Sequence, residues 1–102
     1  MQVTAAAPMT RDEFLAAPLG ELVPYWLDLR CDPQRCTKVV CAPLRLMASK
    51  HGGRCSLGEL VARLRCAQCG ERPVRVCITD SPIGEGGHHI ASTAQWSVAL
   101  MG

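Results

Sequence analysis

The 102-residue chain is 48% hydrophobic and 20% charged with a formal net charge of +2, proportions of one globular domain rather than a disordered, fibrous or multidomain protein. No run approaches the ~20 apolar residues of a membrane span, and the stretch up to Pro8 lacks the basic and apolar regions of a secretory leader, so a soluble chain in a reducing cytoplasmic setting is expected. Aromatic residues amount to 4%, namely Phe14, Tyr25, Trp26 and Trp96, and a small domain this short of large side chains commonly draws on a covalent or metal staple.

Residues 1–24 read as an N-terminal tail and short helix. Thr10-Arg11-Asp12-Glu13 matches a capping box, which starts a helix over about residues 11–17 that Pro18 stops. Residues 25–80 read as the domain proper. Tyr25, Leu27, Leu29 and Cys31 alternate with Trp26, Asp28 and Arg30, the pattern of a half-buried strand. Asp32-Pro33 then predicts a turn. Thr37-Lys38-Val39-Val40-Cys41 predicts a return strand, because β-branched side chains fit a pleated surface.

Pro43 suits the first turn of a helix in which Leu44, Met47, Ala48 and His51 share a face, and Gly52-Gly53 stops it. Ser56-Leu57-Gly58-Glu59 resembles a second capping box, and Leu57, Leu60, Val61 and Leu64 form the apolar stripe of a second helix that runs into Cys66. Beyond Cys69, Gly70 and Pro73 forbid further helix, and Val74 to Thr79 alternates as a strand with Val74, Val76 and Ile78 inward. Residues 81–102, rich in glycine and without periodicity, read as a mostly flexible C-terminal tail.

Seven cysteines fall at positions 31, 36, 41, 55, 66, 69 and 77. An odd number argues against a closed disulfide framework, and clustered cysteines in a reducing compartment more often mean metal. Zinc takes four soft or borderline ligands in a tetrahedron, which two short-spaced pairs from distant segments supply with little strain. Cys66-x2-Cys69-Gly70 is the stronger half, the glycine allowing a tight turn. Cys31-x4-Cys36 is the looser half, with Cys41 the first substitute for Cys36.

Residues 37–65, 29 in all, separate the pairs, and both helices occupy that insertion. One structural Zn²⁺ on Cys31, Cys36, Cys66 and Cys69 is the expectation. A redox pair would place its first thiol at a helix start, where the dipole lowers the thiol pKa; this one follows a helix. The residual alternatives are a disulfide framework and cysteines acting as small buried hydrophobes.

Between Arg30 and Arg75 ten basic residues face Asp32, Glu59 and Glu71, a local balance of +7. A four-thiolate zinc site carries a formal −2, which leaves +5. Arg35, Lys38, Arg45, Lys50, Arg54, Arg63 and Arg72 are the candidate phosphate contacts. The outward face of the second helix, Gly58, Glu59, Ala62 and Arg63, is poorly equipped to read base edges. His51 fits a helix C-cap, and His88 and His89 lie in the glycine-rich tail. No serine–histidine–carboxylate set, paired carboxylates or phosphate-cradling loop occurs, so no catalytic or cofactor-binding residue, no enzymatic activity and no small-molecule substrate are expected.

The run Leu29-Arg30-Cys31…Cys36, the Pro43-Leu44-Arg45-Leu46 helix start and Leu64-Arg65-Cys66-Ala67-Gln68-Cys69-Gly70 together resemble a group of small uncharacterised bacterial zinc-ribbon-type proteins over about residues 27–78. The four-residue gap in the first pair departs from the two-residue gap frequent there. The resemblance implies a zinc-binding α+β domain and no established activity. The expected fold is therefore a small zinc-stabilised α+β domain, a three-stranded antiparallel sheet with a two-helix insertion. Its expected role is a protein-interaction or accessory module, with Trp26 and Trp96 as anchors; sequence-tolerant binding of DNA or RNA is the alternative.

Overall fold

The computed structural model describes residues 7–37, 39–80 and 96–101. Its frame is an antiparallel sheet of four strands in the order β2-β1-β3-β4, formed by β1 (Trp26–Arg30), β2 (Val39–Pro43), β3 (Arg75–Thr79) and β4 (Ser97–Met101). Inserted between β2 and β3 are helices α2 (Leu44–His51) and α3 (Leu57–Arg63), and helix α1 (Arg11–Ala16) with a 3-10 turn at Leu19–Glu21 precedes β1.

The expected three-stranded sheet is one strand short. Ser97–Met101, which falls in the segment read as a mostly flexible tail, pairs with β3 through Thr79↔Ser97, Ile78↔Val98 and Val76↔Met101, with a register irregularity at Val76/Cys77. A sequence of Ser-Val-Ala-Leu-Met has modest strand propensity, so the strand owes its place to tertiary contacts. Leu100 is buried, and the Arg11 Nε donates to the Leu100 carbonyl at 3.0 Å. The rest of that segment, residues 81–95 with His88 and His89, lies outside the described residues, as does Lys38.

Sheet and helices meet over one apolar core. From the sheet come Leu27, Val76, Ile78 and Leu100; from the other elements come Phe14, Leu19, Leu22, Leu44, Leu57, Leu60 and Val61. Alternation along a strand puts Leu27 on this face and Asp28 on the other. The N-terminal segment belongs to this core rather than hanging from it: Phe14 is fully buried. Backbone hydrogen bonds Leu19 N to Cys55 O and Leu57 N to Ala17 O stitch it to the loop between α2 and α3.

The caps follow the sequence with two exceptions. At α1 the capping box is complete, with Thr10 accepting from Glu13 N and Glu13 accepting from Thr10 N. At α3 only half forms: Ser56 Oγ accepts from Glu59 N at 3.1 Å, while the Glu59 carboxylate turns to the Cys55 thiol at 3.7 Å. Pro43 closes β2 and caps α2 instead of entering it.

Two elements stop short of their expected extent. Helix α3 ends at Arg63, with Leu64 already extended at ψ 137°, so an extended step rather than the helix itself delivers Cys66. Val74 lies before β3 and is 47% exposed.

Candidate metal centre

Four cysteines meet at the Arg30 end of the sheet. Strand β1 delivers Cys31 directly. The turn beyond it is closed by Asp32, whose carbonyl accepts from Arg35 N and Cys36 N and whose carboxylate accepts from Gln34 N at 3.0 Å. That fold-back brings Cys36 beside Cys31. The facing loop is closed as tightly, with Cys66 N donating to Glu71 O and Gly70 N to Cys66 O, both at 2.8 Å. Gly70 holds φ +75°, a left-handed conformation that glycine adopts without steric cost. Val74 N donates to Arg30 O at 2.9 Å and so extends the β1–β3 pairing up to the site.

The result is a cage of sulfur. Cys36 Sγ lies 3.9 Å from Cys66 Sγ, Cys69 Sγ lies 3.8 Å from Cys31 Sγ, and all four sulfurs fall within 4.8 Å of one another. Both of these contacts join the hairpin to the knuckle. These separations leave every thiol free of disulfide and are compatible with a metal ion at the centre. Cys36 is buried while the other three are half-buried.

The thiols are polarised unequally. The Cys69 N–H, the Cys31 thiol and the Gln68 N–H together lower Cys66 to about 6, the last at 3.3 Å from the sulfur. Cys31 is pushed up, first by its hydrogen bond to Cys66 and then by burial. Cys69 also rises: the Glu71 N–H works to lower it, and burial with the Cys66 contact outweighs that. A cation that requires thiolates would displace the remaining protons.

The other cysteines stand apart from the cage. Cys41 and Cys77 flank Asp28 in register on β2 and β3, and Cys55 sits in the α2–α3 loop beside Glu59. The candidate phosphate contacts are dispersed. Arg35 is ion-paired with Glu71 at 3.6 Å across the two halves of the cage, and it shares a shallow hollow with Arg72, Asp32 and Glu71. Arg45 and Arg54 are exposed on α2 and the loop after it. Lys50 and Arg63 converge on the mouth of an apolar cavity that Cys31 and Cys66 also line.

Trp96 is half-buried, packed against the core. It stacks on Phe14 at 5.5 Å and meets Tyr25 edge-on at 5.2 Å.

Sequence reasoning missed two features. Asp28 is 4% exposed; its Oδ2 faces Arg30 Nε at 3.3 Å, and its Oδ1 has no hydrogen-bond partner among the described residues. Only the alternation of β1 bore on its placement, and that put Asp28 on the face away from the core. The cavity depends on how α2 and α3 splay, which no local signal encodes. Among the described residues no helix is long and apolar enough to cross a membrane. No protein-family model, curated protein or solved structure matches the chain.

Proposed function

We propose that the protein is a structural-zinc module that serves as a protein-interaction or accessory factor, with one Zn²⁺ held by Cys31, Cys36, Cys66 and Cys69. The observation that carries this reading is the sulfur spacing. A tetrahedral ion with zinc–sulfur bonds of about 2.3 Å sets its ligands about 3.8 Å apart, against 3.8 Å for Cys31–Cys69 and 3.9 Å for Cys36–Cys66, with every sulfur pair within 4.8 Å. Four thiolates with no open position make a closed, structural site rather than a catalytic one. The Gln68 N–H directed at Cys66 is the outer hydrogen bond that orients such a ligand.

A protein partner is favoured by the character of the surface. The arginines at the cage are interleaved with Asp32 and Glu71, which weakens them as a phosphate track.

Elemental analysis of the purified chain is the test, with one zinc per chain expected. A metal-free chain that keeps the knuckle ordered overturns it. Titration with mixed-sequence DNA and RNA at two salt concentrations separates the two roles. The accessory reading expects no salt-dependent association; a steep salt dependence would replace it with the nucleic-acid reading.

A further inference from the structure

We propose that the cavity beside the thiol cage binds a small amphipathic anion, a carboxylate carried on an apolar tail. The cavity measures about 440 Å³ and lies where the C-terminal ends of α2 and α3 approach the sheet. That volume falls within the roughly 300–1,000 Å³ range of small-molecule sites, which are mostly apolar with a few placed polar groups. Its walls include Leu29 and Val40 from the sheet, Met47 from α2, Leu60 and Leu64 from α3 and the end of that helix, and Pro73. Leu60 and Pro73 are buried, whereas Leu29, Val40, Met47 and Leu64 remain half-exposed, a concave apolar surface that nothing among the described residues covers.

Charge decides the class of occupant. Lys50 and His51 reach the mouth from the last turn of α2, Arg63 from the last turn of α3, and Arg65 from the step beyond it. No lining residue is a carboxylate; Cys31 and Cys66 also line the cavity, so a loaded cage brings part of its formal −2 to one wall, against the three permanent cations Lys50, Arg63 and Arg65. A cation would meet a net positive rim, and a neutral chain would leave the cations in excess of the cage's charge unpaired. An apolar tail on the floor with a carboxylate at Lys50 and Arg63 uses both. The proposal goes beyond the accessory reading and stands whichever partner the module serves.

The full chain, its zinc content measured, is titrated with octanoate, octanol and octyltrimethylammonium below their aggregation thresholds, and backbone amide shifts are followed by proton–nitrogen correlation spectra. Octanoate is expected to bind on the order of fivefold tighter than octanol, because an exposed ion pair contributes less than a tenfold factor. The ammonium probe is expected to bind weakest, with the largest shifts near Met47, Leu60 and Ala67. Lys50→Gln combined with Arg63→Gln changes two exposed side chains and so keeps the fold; it is expected to erase the preference for octanoate while octanol still binds.

Equal binding of octanoate and octanol by the unaltered chain overturns the proposal, as do saturable shifts elsewhere or none. A chain that holds zinc yet fails this titration loses the ligand site and keeps the metal site. Octanoate binding by a chain that holds no zinc supports the ligand site and overturns the metal site.

Discussion

The two ends of one sheet are held by different physics. At the Trp26 end, Phe14, Tyr25 and Trp96 form a ring cluster with centroids 5.2–6.1 Å apart, and α1, the 3-10 turn and the start of α3 add fully buried Phe14, Leu19 and Leu57 to the same core. At the Arg30 end, the hairpin tip and the knuckle offer few apolar side chains to each other. Four sulfurs and short backbone turns meet there instead. About five residues of strand at ~3.3 Å each separate these ends. Burial stabilises the first end without any ligand, whereas the four thiols of the second are compatible with a metal ion, which on the proposed zinc reading is what draws them together.

Metal removal is the largest way to test that contrast. Structural zinc in small peptides contributes on the order of 10 kcal/mol, so chelation is expected to lower the thermal midpoint more than any single substitution. Amide exchange is expected to rise first at residues 31–36 and 64–73, with Val76 and Ile78 protected longest. Uniform loss of protection would mean that the two ends are one cooperative unit.

Phe14→Ala is the converse and comes next in size. Truncating a buried phenylalanine costs about 3–5 kcal/mol, and Phe14 also touches both other rings. Near-ultraviolet circular dichroism from Trp96 and Tyr25 is expected to collapse, with zinc stoichiometry unchanged at one per chain. Loss of zinc from this variant would tie the cage to the core.

How much of this was legible depended on whether the signal was local. Both cysteine pairs, the Thr10 capping box and the apolar stripe of α3 are short-range patterns, and each recurs in the structure at its expected place except Leu64, which falls just past the end of α3. Strand β4 was not legible, because Ser97–Met101 becomes a strand through pairing with β3 and the burial of Leu100, long-range facts with little propensity behind them. The ring contacts of Trp96 were not legible for the same reason: it follows a glycine-rich segment, and its partners Phe14 and Tyr25 lie far back in the chain. Glu59 turned to Cys55 because a thiol one position before the cap competes for its carboxylate.

Smaller effects probe how the helical layer and the cage are set. Gly58 in α3 sits against α1, where an added Cβ would come 3.0 Å from the Leu15 carbonyl oxygen. Gly→Ala inside a helix ordinarily stabilises by roughly 0.5–1 kcal/mol. Gly58→Ala is expected to reverse that sign and lower the urea midpoint, the cost being on the order of 1 kcal/mol as α1 is forced outward. A gain in stability would show that the α1–α3 contact is slack.

In the metal-free chain, Cys66 at about 6 lies below the ~8.5 of an unfolded thiol. A depressed folded-state value contributes stability that is lost as pH falls from ~8.5 toward 6, while the raised Cys31 and Cys69 take stability away above ~8.5. Denaturation midpoints measured with chelator present are therefore expected to fall between pH 8.5 and 6, and Cys66 is expected to be alkylated first at neutral pH.

Asp28 tests the middle of the sheet, between the two ends. Its carboxylate is buried with one oxygen on Arg30 and the other unpartnered among the described residues, and a buried acceptor left idle costs free energy. The nearby guanidinium of Arg75 is held in its charged form by Cys77 first and by Asp28 among the lesser contributions. Breaking a buried pair is expensive when it strands a buried charge. Here the Arg30 side chain is 43% exposed and Arg75 is exposed, so both can hydrate once the carboxylate is gone. Asp28→Asn keeps the shape, removes the desolvated charge and is expected to change stability by less than about 1 kcal/mol, measured by urea denaturation of the zinc-loaded chain. A loss of several times that would place an electrostatic anchor between the sulfur cage and the aromatic cluster, and the sheet would then be held at its middle as well as at its ends.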